Sequence, residues 1–384
     1  MKILFAIKSL NGPGGGAEKV LVDVVNGLHR RGHDVQVLTF DYPGEAFYDL
    51  SPLIERLDMA FNRGGESMPR RGLLKALPRI RAAIAAEQPD VIVAFMHSTY
   101  VPVAIAALGL GLPLVVSEHT EARHYETRPL QRLVRQVVDR WAAIRTVPSE
   151  AVRLGYDDVS STSAMVVPNP VALTQYSAFL GVAPVMPPVV LSIGRLTEEK
   201  GHSVLLDAFA RVANDFPEWR LRILGDGPLR DSLEAQLVEL GLIDRVNMPG
   251  FTREVGEAYA SATFLVLPSR YESFGMVASE ALATGRPVLS FDDCAGISEI
   301  VKSGTNGLLV RGKPERAARV VALAHGLRQM MSDPDLCARL GKMGPESVAQ
   351  YGLDNVLDRW EEVLSKAVPK MPRKNGDRKE SGQI

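Results

Sequence analysis

The stretch "TFLVLPSRYESFGMVASEALATGRPVLSFD", residues 263–292, decides the fold of this chain. It opens with a short apolar run, continues through a polar loop into a helix of small apolar residues that ends near Gly285, and closes with a second apolar run. Strands that alternate with helices at this spacing form βαβ units and therefore parallel sheets.

The same pattern repeats along the chain before this stretch. The apolar runs typical of strands are "KILFAI", "DVQVLTF", "DVIVAF", "PLVVSEH" and "MVVPNPV", followed by "VVLSIGR", "LRILGDG" and "RVNMPGF". Parallel strands that are buried on both faces have such nearly continuous apolar sequences. We therefore predict an α/β protein built from doubly wound parallel sheets.

A proline-rich segment, residues 168–188, shows neither the helical nor the strand period, which is typical of an interdomain connection. The predicted domains are residues 1–170 and 185–352, with a helix over 353–368 that crosses back to the first domain and a disordered tail over 369–384. If the two sheets face each other, the carboxyl ends of their strands line one cleft, and such sheets bind ligands at that edge.

Composition excludes several classes of protein. The 44 Lys and Arg residues nearly balance the 45 Asp and Glu residues, so the overall charge does not favour a nucleic-acid partner. Cys294 and Cys337 lack the spacing of a metal site, no leader-like segment opens the sequence, and no apolar run is long enough to span a membrane. We expect a cytoplasmic protein.

The glycine cluster "NGPGGGAEKV", residues 11–20, follows the first strand and precedes a helix. Gly12, Gly14 and Ala17 satisfy the dinucleotide pattern G-x-G-x-x-G/A, and Asp41 stands past the second strand at a plausible distance for a ribose hydroxyl. The same cluster suits a phosphate or acceptor loop, or a tight turn that needs glycine for backbone reasons. On these residues alone the alternatives remain open.

Two cations follow the first strand of the second half. Arg195 and Lys200 lie five residues apart on a strand-exit loop that also holds Gly194 and Gly201. Paired cations on such a loop suit a diphosphate, and the alternative is a pair of solvated surface charges.

Two carboxylates stand out within residues 263–292. Glu272 lies in the loop and Glu280 lies eight residues later, expected two turns into the helix and facing outward. At that separation they do not act together on one atom, but each suits a pair of vicinal hydroxyls. The free N–H groups of residues 273–276 at the helix start suit a phosphate oxygen. A solvated helix position is the alternative for Glu280.

These residues in combination resemble the retaining glycosyltransferases of family 4, which have the two-domain GT-B fold. The resemblance rests on Gly194-Arg195 with Lys200, on "GDGP" at 225–228, on Glu272-x7-Glu280 and on "GISEIV" at 296–301, and it covers about residues 1–365. It implies two facing Rossmann-like domains with an interdomain cleft. One departure is Ala295-Gly296, where the family has paired glycines.

The resemblance also implies a site for a nucleotide diphosphate sugar, with a UDP-sugar favoured over a GDP-sugar and no further cofactor. Arg195 and Lys200 would hold the diphosphate, Glu280 the ribose, and Glu272 the sugar hydroxyls. The other implied donor contacts are Gly15, Gly16, Gly194, Gly225, Phe251, Ser273, Phe274, Gly275 and Met276. The implied acceptor side comprises Gly14, Glu18 and His97, and His119 would line the donor sugar near the reacting carbon.

The expected catalytic set is thus His119, Glu272, Arg195 and Lys200. A lone histidine is more often structural than functional, and this alternative applies to both His97 and His119. No Asp-x-Asp sequence follows a strand, so no metal site is expected. The family implies retention of configuration, with the leaving phosphate taking the acceptor proton.

Arginine and lysine residues within 63–81 and 123–140 lie beside apolar residues. Such stretches suit an anionic membrane surface or a lipid diphosphate, and an ordinary solvated helix face is the alternative. We therefore expect a lipid-linked or saccharide acceptor and peripheral attachment to the inner face of the cytoplasmic membrane. The competing functions are a non-catalytic nucleotide-sugar-binding subunit and an NAD-dependent enzyme that uses the first glycine loop.

Overall fold

A computed structural model describes most of the chain. The described residues are 1–12, 15–62, 70–120, 125, 128–157, 164–252 and 254–368, without the side chains of 62, 70–75 and 157. The predicted tail, residues 369–384, lies outside this part of the chain.

The first sheet has seven parallel strands in the order β3-β2-β1-β4-β5-β6-β7. Their bounds are β1 Lys2–Ile7, β2 Asp34–Asp41, β3 Glu55–Asn62, β4 Val91–Phe95, β5 Leu114–Ser117, β6 Ile144–Val147 and β7 Ala164–Val166. The helices between them are α1 Gly16–Arg30, α2 Arg70–Glu87, α3 His97–Ala107, α4 Pro129–Trp141 and α5 Glu150–Asp157.

The second sheet has six parallel strands in the order β10-β9-β8-β11-β12-β13. After α6 Leu173–Ser177 come β8 Val189–Ile193, β9 Arg220–Leu224, β10 Val246–Gly250, β11 Phe264–Leu267, β12 Val288–Phe291 and β13 Gly307–Val310. The helices are α7 His202–Ala210, α8 Arg230–Glu239, α9 Val255–Ser261, α10 Met276–Ala283, α11 Ala295–Ile300, α12 Arg316–Ser332, α13 Pro334–Lys342, α14 Gly344–Val348 and α15 Leu353–Ala367, with 3-10 turns at Glu198–Lys200 and Ala349–Tyr351.

Both faces of each sheet are covered by helices, which explains the continuous apolar runs. Along β1, Ile3 and Phe5 pack in the core beneath α1 and α15, whereas Leu4 and Ala6 pack in the core on the opposite face. A strand between two helical layers has no polar face to present, so apolar residues occupy successive positions.

The last helix, α15, belongs to the first domain although it follows the second sheet in sequence. Trp360 stacks on Phe95 with ring centroids 5.9 Å apart, and Leu357 approaches α1 so closely that a Cβ on Gly27 would lie 2.6 Å from it. The apolar spacing of this helix thus serves to bury it against α1 and the first sheet.

The prediction of a GT-B α/β fold with two Rossmann-like domains is confirmed. All ten apolar runs form strands, but β3, β6 and β13 were missed. β3 is an edge strand that stays partly exposed, and β6 contains the charged Arg145. The connection is also not irregular throughout, because it contains α6. The exact domain limits stay a prediction.

Candidate active site

Four loops, which contain Gly194, Gly225, Glu272 and Gly296, meet at the carboxyl edge of the second sheet. A Cβ on Gly225, whose φ is 140°, would lie 2.0 Å from the carbonyl oxygen of Gly194, and one on Gly296 would lie 2.1 Å from that of Glu272. No side chain fits at either position, so the loops form one continuous surface. The departure at Ala295-Gly296 is harmless for this packing, because Ala295 is exposed and the required glycine is present.

Glu272 is held by one of its two carboxylate oxygens. Lys200 Nζ donates to Oε1 at 2.6 Å, and Ser269 Oγ donates to the same oxygen at 3.0 Å. Within the described part of the chain nothing is bonded to Oε2, which leaves that oxygen able to accept from a ligand hydroxyl. Ser269 was not predicted, although its position three residues before Glu272 on the strand-exit loop was a usable signal.

The two predicted cations lie in different surroundings. Lys200 is engaged with Glu272, whereas Arg195 is exposed and no residue described here forms an ion pair with it. The structure therefore brings Lys200 and Glu272 together and leaves Arg195 directed into solvent on the loop that begins at Gly194. No contact within the described residues joins either of them to His119.

Glu280 is buried, which contradicts the expectation that it faces outward two turns into the helix. It is the fifth residue of α10, about one turn in, and its carboxylate accepts from the phenols of Tyr259, at 2.8 Å, and Tyr176. Burial raises the pKa of Glu280, while Lys19 and the two phenols oppose that rise. The expected outer face of α10 is covered because the connection and α9 pack on it, so Glu280 is not a solvated helix position.

The starts of α1 and α10 face each other across the cleft. A Cβ on Gly16 would lie 3.2 Å from Met276 Sδ, and Gly15 and Gly275 precede the first residues of the two helices. Free N–H groups and partial positive charge at two helix starts make this gap suited to an anion. Gly14 lies outside the described residues.

Three predicted contact residues have structural partners in this state. Glu18 accepts from the Gly15 N–H at 3.0 Å and so caps its own helix. Phe274 is buried against Tyr351, with ring centroids 5.1 Å apart, so only its backbone can reach a ligand. Phe251 is 54% exposed and meets Phe47 of the first domain edge to face at 5.6 Å.

His119 lies on the loop after β5 and is half-buried. Its ring stacks on Phe95 at 5.0 Å, and its Nε2 lies 3.0 Å from Ser117 Oγ, which accepts from Thr146 Oγ1 at 2.9 Å. Desolvation lowers the pKa of His119 to about 4, so the ring is neutral at pH 7. A neutral imidazole can bond a sugar hydroxyl without bringing charge into the cleft.

Behind His119 lies a buried carboxylate that sequence analysis missed. Glu118 is 1% exposed and accepts from the phenols of Tyr100, at 2.8 Å, and Tyr125, at 2.9 Å, and from the Thr120 N–H at 2.9 Å. His97 begins α3 and packs edge to face on Tyr125 at 5.4 Å, and desolvation lowers its pKa. The only signal for Glu118 in the sequence was its position next to a candidate histidine at a strand end.

Asp41 has no room for a ribose. Its carboxylate is fully buried, accepts from the N–H groups of Leu10, at 2.7 Å, and Asn11, at 3.1 Å, and pairs with Arg56 at 3.3 Å. The residue that made the dinucleotide pattern attractive therefore braces the first loop, and the NAD-dependent alternative loses its main support.

The basic stretches separate into buried and exposed cations. Arg135 is buried and pairs with Asp139 at 3.1 Å, so it cannot contribute to a membrane-facing surface, whereas Arg81 is exposed and donates to the backbone carbonyls of Ala106 and Leu108. The exposed members of α4 and its start are Arg128, Arg132 and Arg140, beside the exposed Leu130, Leu133 and Trp141. Residues 63–69, 123, 124, 126 and 127 lie outside the described part.

The described residues contain no cluster of three or more His, Cys, Asp or Glu side chains arranged to hold a metal ion. They also contain no helix with the length and apolar composition needed to cross a bilayer.

Comparison with known proteins places both halves of the chain in glycosyltransferase families. Residues 181–347 match the family "Glycosyl transferases group 1", and residues 14–175 match "Glycosyltransferase Family 4". An α-1,4-N-acetyl-D-galactosaminyltransferase of Campylobacter jejuni, whose name gives a diphosphoundecaprenol-linked saccharide as its acceptor, is 26% identical over 95% of this chain and 98% of its own. The lipopolysaccharide core biosynthesis glycosyltransferase LpsD of Rhizobium meliloti is 28% identical over 94% and 97%.

The solved structure of Anabaena HepE in complex with UDP and glucose has the same architecture. Its TM-score is 0.78 at 23% identity, over 95% of this chain and 99% of that chain. The two matched segments span both domains, and together with the shared architecture they show that this chain belongs to the family 4 glycosyltransferases of the GT-B fold.

Proposed function

We propose that this protein is a retaining, metal-independent glycosyltransferase of bacterial polysaccharide or glycan assembly. It takes a sugar from a nucleotide diphosphate sugar, with a UDP-sugar favoured, and transfers it to a lipid-linked or saccharide acceptor. The observation that carries the proposal is the pair Glu272 and Glu280 on either side of the start of α10. One carboxylate has an open oxygen at the cleft, and the other is buried between two phenols.

The spacing of these groups fits an activated sugar. Sugar hydroxyls would meet Glu272 Oε2, phosphate oxygens would meet the N–H groups at the starts of α10 and α1, and ribose hydroxyls would meet Glu280. The solved neighbour that contains UDP and glucose, and relatives named for lipopolysaccharide and lipid-linked glycan synthesis, support this choice of substrates.

The chemistry requires stabilisation of a departing diphosphate. As the bond between the anomeric carbon and the phosphate oxygen breaks, negative charge builds on the diphosphate, and Arg195, Lys200 and the two helix starts stabilise it. The acceptor oxygen bonds the anomeric carbon on the same face, and its proton passes to the departing phosphate oxygen. The configuration is retained, and His119 holds a sugar hydroxyl as a neutral ring.

Titration calorimetry with UDP, GDP, ADP and NAD tests the donor class. We expect UDP to bind most tightly and the affinity to be the same in EDTA. Binding of NAD without binding of any nucleoside diphosphate would overturn the proposal. Nuclear magnetic resonance of the product formed from a UDP-sugar and a diphosphoundecaprenol-linked saccharide tests retention, because an inverted anomeric centre contradicts it.

The exposed side of α4 supports attachment to the inner face of the cytoplasmic membrane. Leu130 and Leu133 are 58% and 57% exposed, and Arg132 and Arg140 lie near them on the same helix. Apolar side chains with neighbouring cations fit an anionic bilayer surface.

Sedimentation with phosphatidylglycerol vesicles tests this attachment. Leu130→Ser with Leu133→Ser should reduce the bound fraction several-fold, whereas Val238→Ser with Ile243→Ser, at equally exposed positions in the second domain, should leave it unchanged. Equal binding of both double variants would refute the assignment of α4.

A second candidate function is a non-catalytic subunit that binds the nucleotide sugar. This function is favoured only if the nucleotide sugar binds with its ribose at Glu280 and the protein neither releases nor transfers the sugar. The same calorimetric series, followed by an assay for free UDP, separates it from the enzyme.

A further inference from the structure

The helix α5 of the first domain begins against the donor loop of the second domain. Ser149, directly before this helix, is 1% exposed, and its Oγ donates to the carbonyl oxygen of Ser273 at 2.7 Å. The same Oγ accepts from the Val152 N–H at 3.2 Å. A hydroxyl both donates and accepts, so one side chain caps the helix and holds the loop across the cleft.

Glu299 of α11 completes this junction from the second domain. Its carboxylate accepts from the N–H of Glu150 at 3.1 Å and from the N–H of Ala151. A negative group at a helix start is stabilised by the free N–H groups and the helix dipole. Both bonds cross from the first domain to the second.

The Ser273 carbonyl belongs to the same rigid peptide plane as the Phe274 N–H, one of the amides assigned to the donor. Gly296, three residues before Glu299, packs on this plane from the other side, because a Cβ there would lie 2.8 Å from the Phe274 nitrogen. The orientation of this amide is therefore set jointly by α11 and by Ser149 of the opposite domain.

The far end of α5 reaches the acceptor side. Tyr156 is fully buried, and its phenol donates to the carbonyl oxygen of Thr120, the residue after His119, at 2.7 Å. One helix of eight residues, about 12 Å long, thus connects the donor loop to the His119 loop.

We propose that Ser149 and Glu299 are positioning residues that hold the donor loop in its binding conformation only in the closed state, and that α5 couples this loop to His119. This inference rests on the proposed function, because the loop matters through the nucleotide sugar that it holds. Neither residue touches the substrate, and both act through the Ser273–Phe274 peptide.

Substitutions at Ser149 separate the two roles of its hydroxyl. Ser149→Asp keeps an acceptor for the helix cap but has no proton for the Ser273 carbonyl, whereas Ser149→Thr keeps both. Glu299→Ala removes the interdomain acceptor. Glu150→Gln is the matched control on the same helix, because Glu150 pairs only with Arg153 among the side chains described and is 52% exposed.

Hydrogen exchange with and without saturating UDP, read by mass spectrometry, measures the coupling. In the wild type we expect UDP to slow exchange at residues 273–276, at 150–153 and, across the cleft, at 117–120. Ser149→Asp and Glu299→Ala should lose the protection at 117–120 and bind UDP about 3- to 10-fold more weakly, the range expected for one lost hydrogen bond. Ser149→Thr and Glu150→Gln should behave as the wild type, and melting temperatures show that all variants are folded.

The outcomes separate this inference from the proposed function. If Ser149→Asp and Glu299→Ala both retain the protection at residues 117–120, the positioning role is overturned and the donor assignment is left intact. Failure of the wild type to bind UDP, GDP or ADP overturns the donor assignment and this inference with it. Loss of protection in Ser149→Thr as well would mean that packing at this position, not the hydroxyl, matters, and would also overturn it.

Discussion

The two sides of the cleft use carboxylates in opposite ways. On the second domain Glu272 has one oxygen bonded by Lys200 and Ser269 and the other directed outward. On the first domain Glu118 is enclosed by Tyr100, Tyr125 and the Thr120 amide, and only the neutral His119 is presented. The comparison suggests that charge serves binding on the donor side and scaffolding on the acceptor side.

The largest effect is expected from substitutions on the donor side of the cleft. Lys200→Ala and Glu272→Ala should each lower kcat for sugar transfer by about 100-fold or more, because each removes a group aimed at the sugar or at the departing diphosphate. Free UDP released per enzyme measures this loss.

The exposed Glu239 supplies the control for these substitutions. Glu239→Gln lies on α8, away from the four loops, and should keep wild-type turnover. Full turnover in Lys200→Ala would remove the assigned role of this cation.

The acceptor side should respond in stability more than in chemistry. Glu118→Ala leaves two buried phenols and one amide without their acceptor, which should cost about 3 kcal/mol of unfolding free energy. Urea denaturation measures this value. A loss of turnover with unchanged stability would contradict the scaffolding role.

A smaller effect is expected from the buried partner of Glu280. The 2.8 Å hydrogen bond from the Tyr259 phenol lowers the pKa of Glu280. Tyr259→Phe removes this bond, so the pKa of Glu280 should rise further. We expect KM for the donor to increase about 3- to 10-fold with little change in kcat. Steady-state kinetics from pH 6 to 8 should show the increase growing toward low pH, and a pH-independent increase would contradict this cause.

The last prediction concerns acid stability. Desolvation lowers the pKa of both His119 and His202 to about 4, from an ordinary value of 6.5, so the folded protein binds fewer protons than the unfolded chain between these limits. Stability should therefore fall as the pH decreases from about 6.5 to about 4.

Melting temperatures across this range test the effect. His119→Gln and His202→Gln should each flatten the pH dependence, and the exposed His325 provides the control as His325→Gln. An identical slope in all three variants would show that other groups cause the acid loss.

Much of the fold was predictable from sequence, and so was the position of several candidate site residues on the strand-exit loops. The apolar runs identified ten strands, because strands between two helical layers need no polar face. Glu272 and Lys200 were singled out because both lie on loops that follow strands, at the edge where the loops of a parallel sheet gather. The edge strand β3 was missed, since partial exposure weakens its apolar pattern.

By itself, the sequence determined which residues stand at the carboxyl ends of the strands and that two doubly wound domains would form, because local apolar periodicity and strand-exit position depend only on neighbouring residues. Only the tertiary structure decided that Glu280 is buried between Tyr176 and Tyr259, that Asp41 is closed to a ribose, and that Ser149 meets Ser273. Those contacts join residues from different elements or domains. They arise from how helices and sheets pack, which no local pattern records.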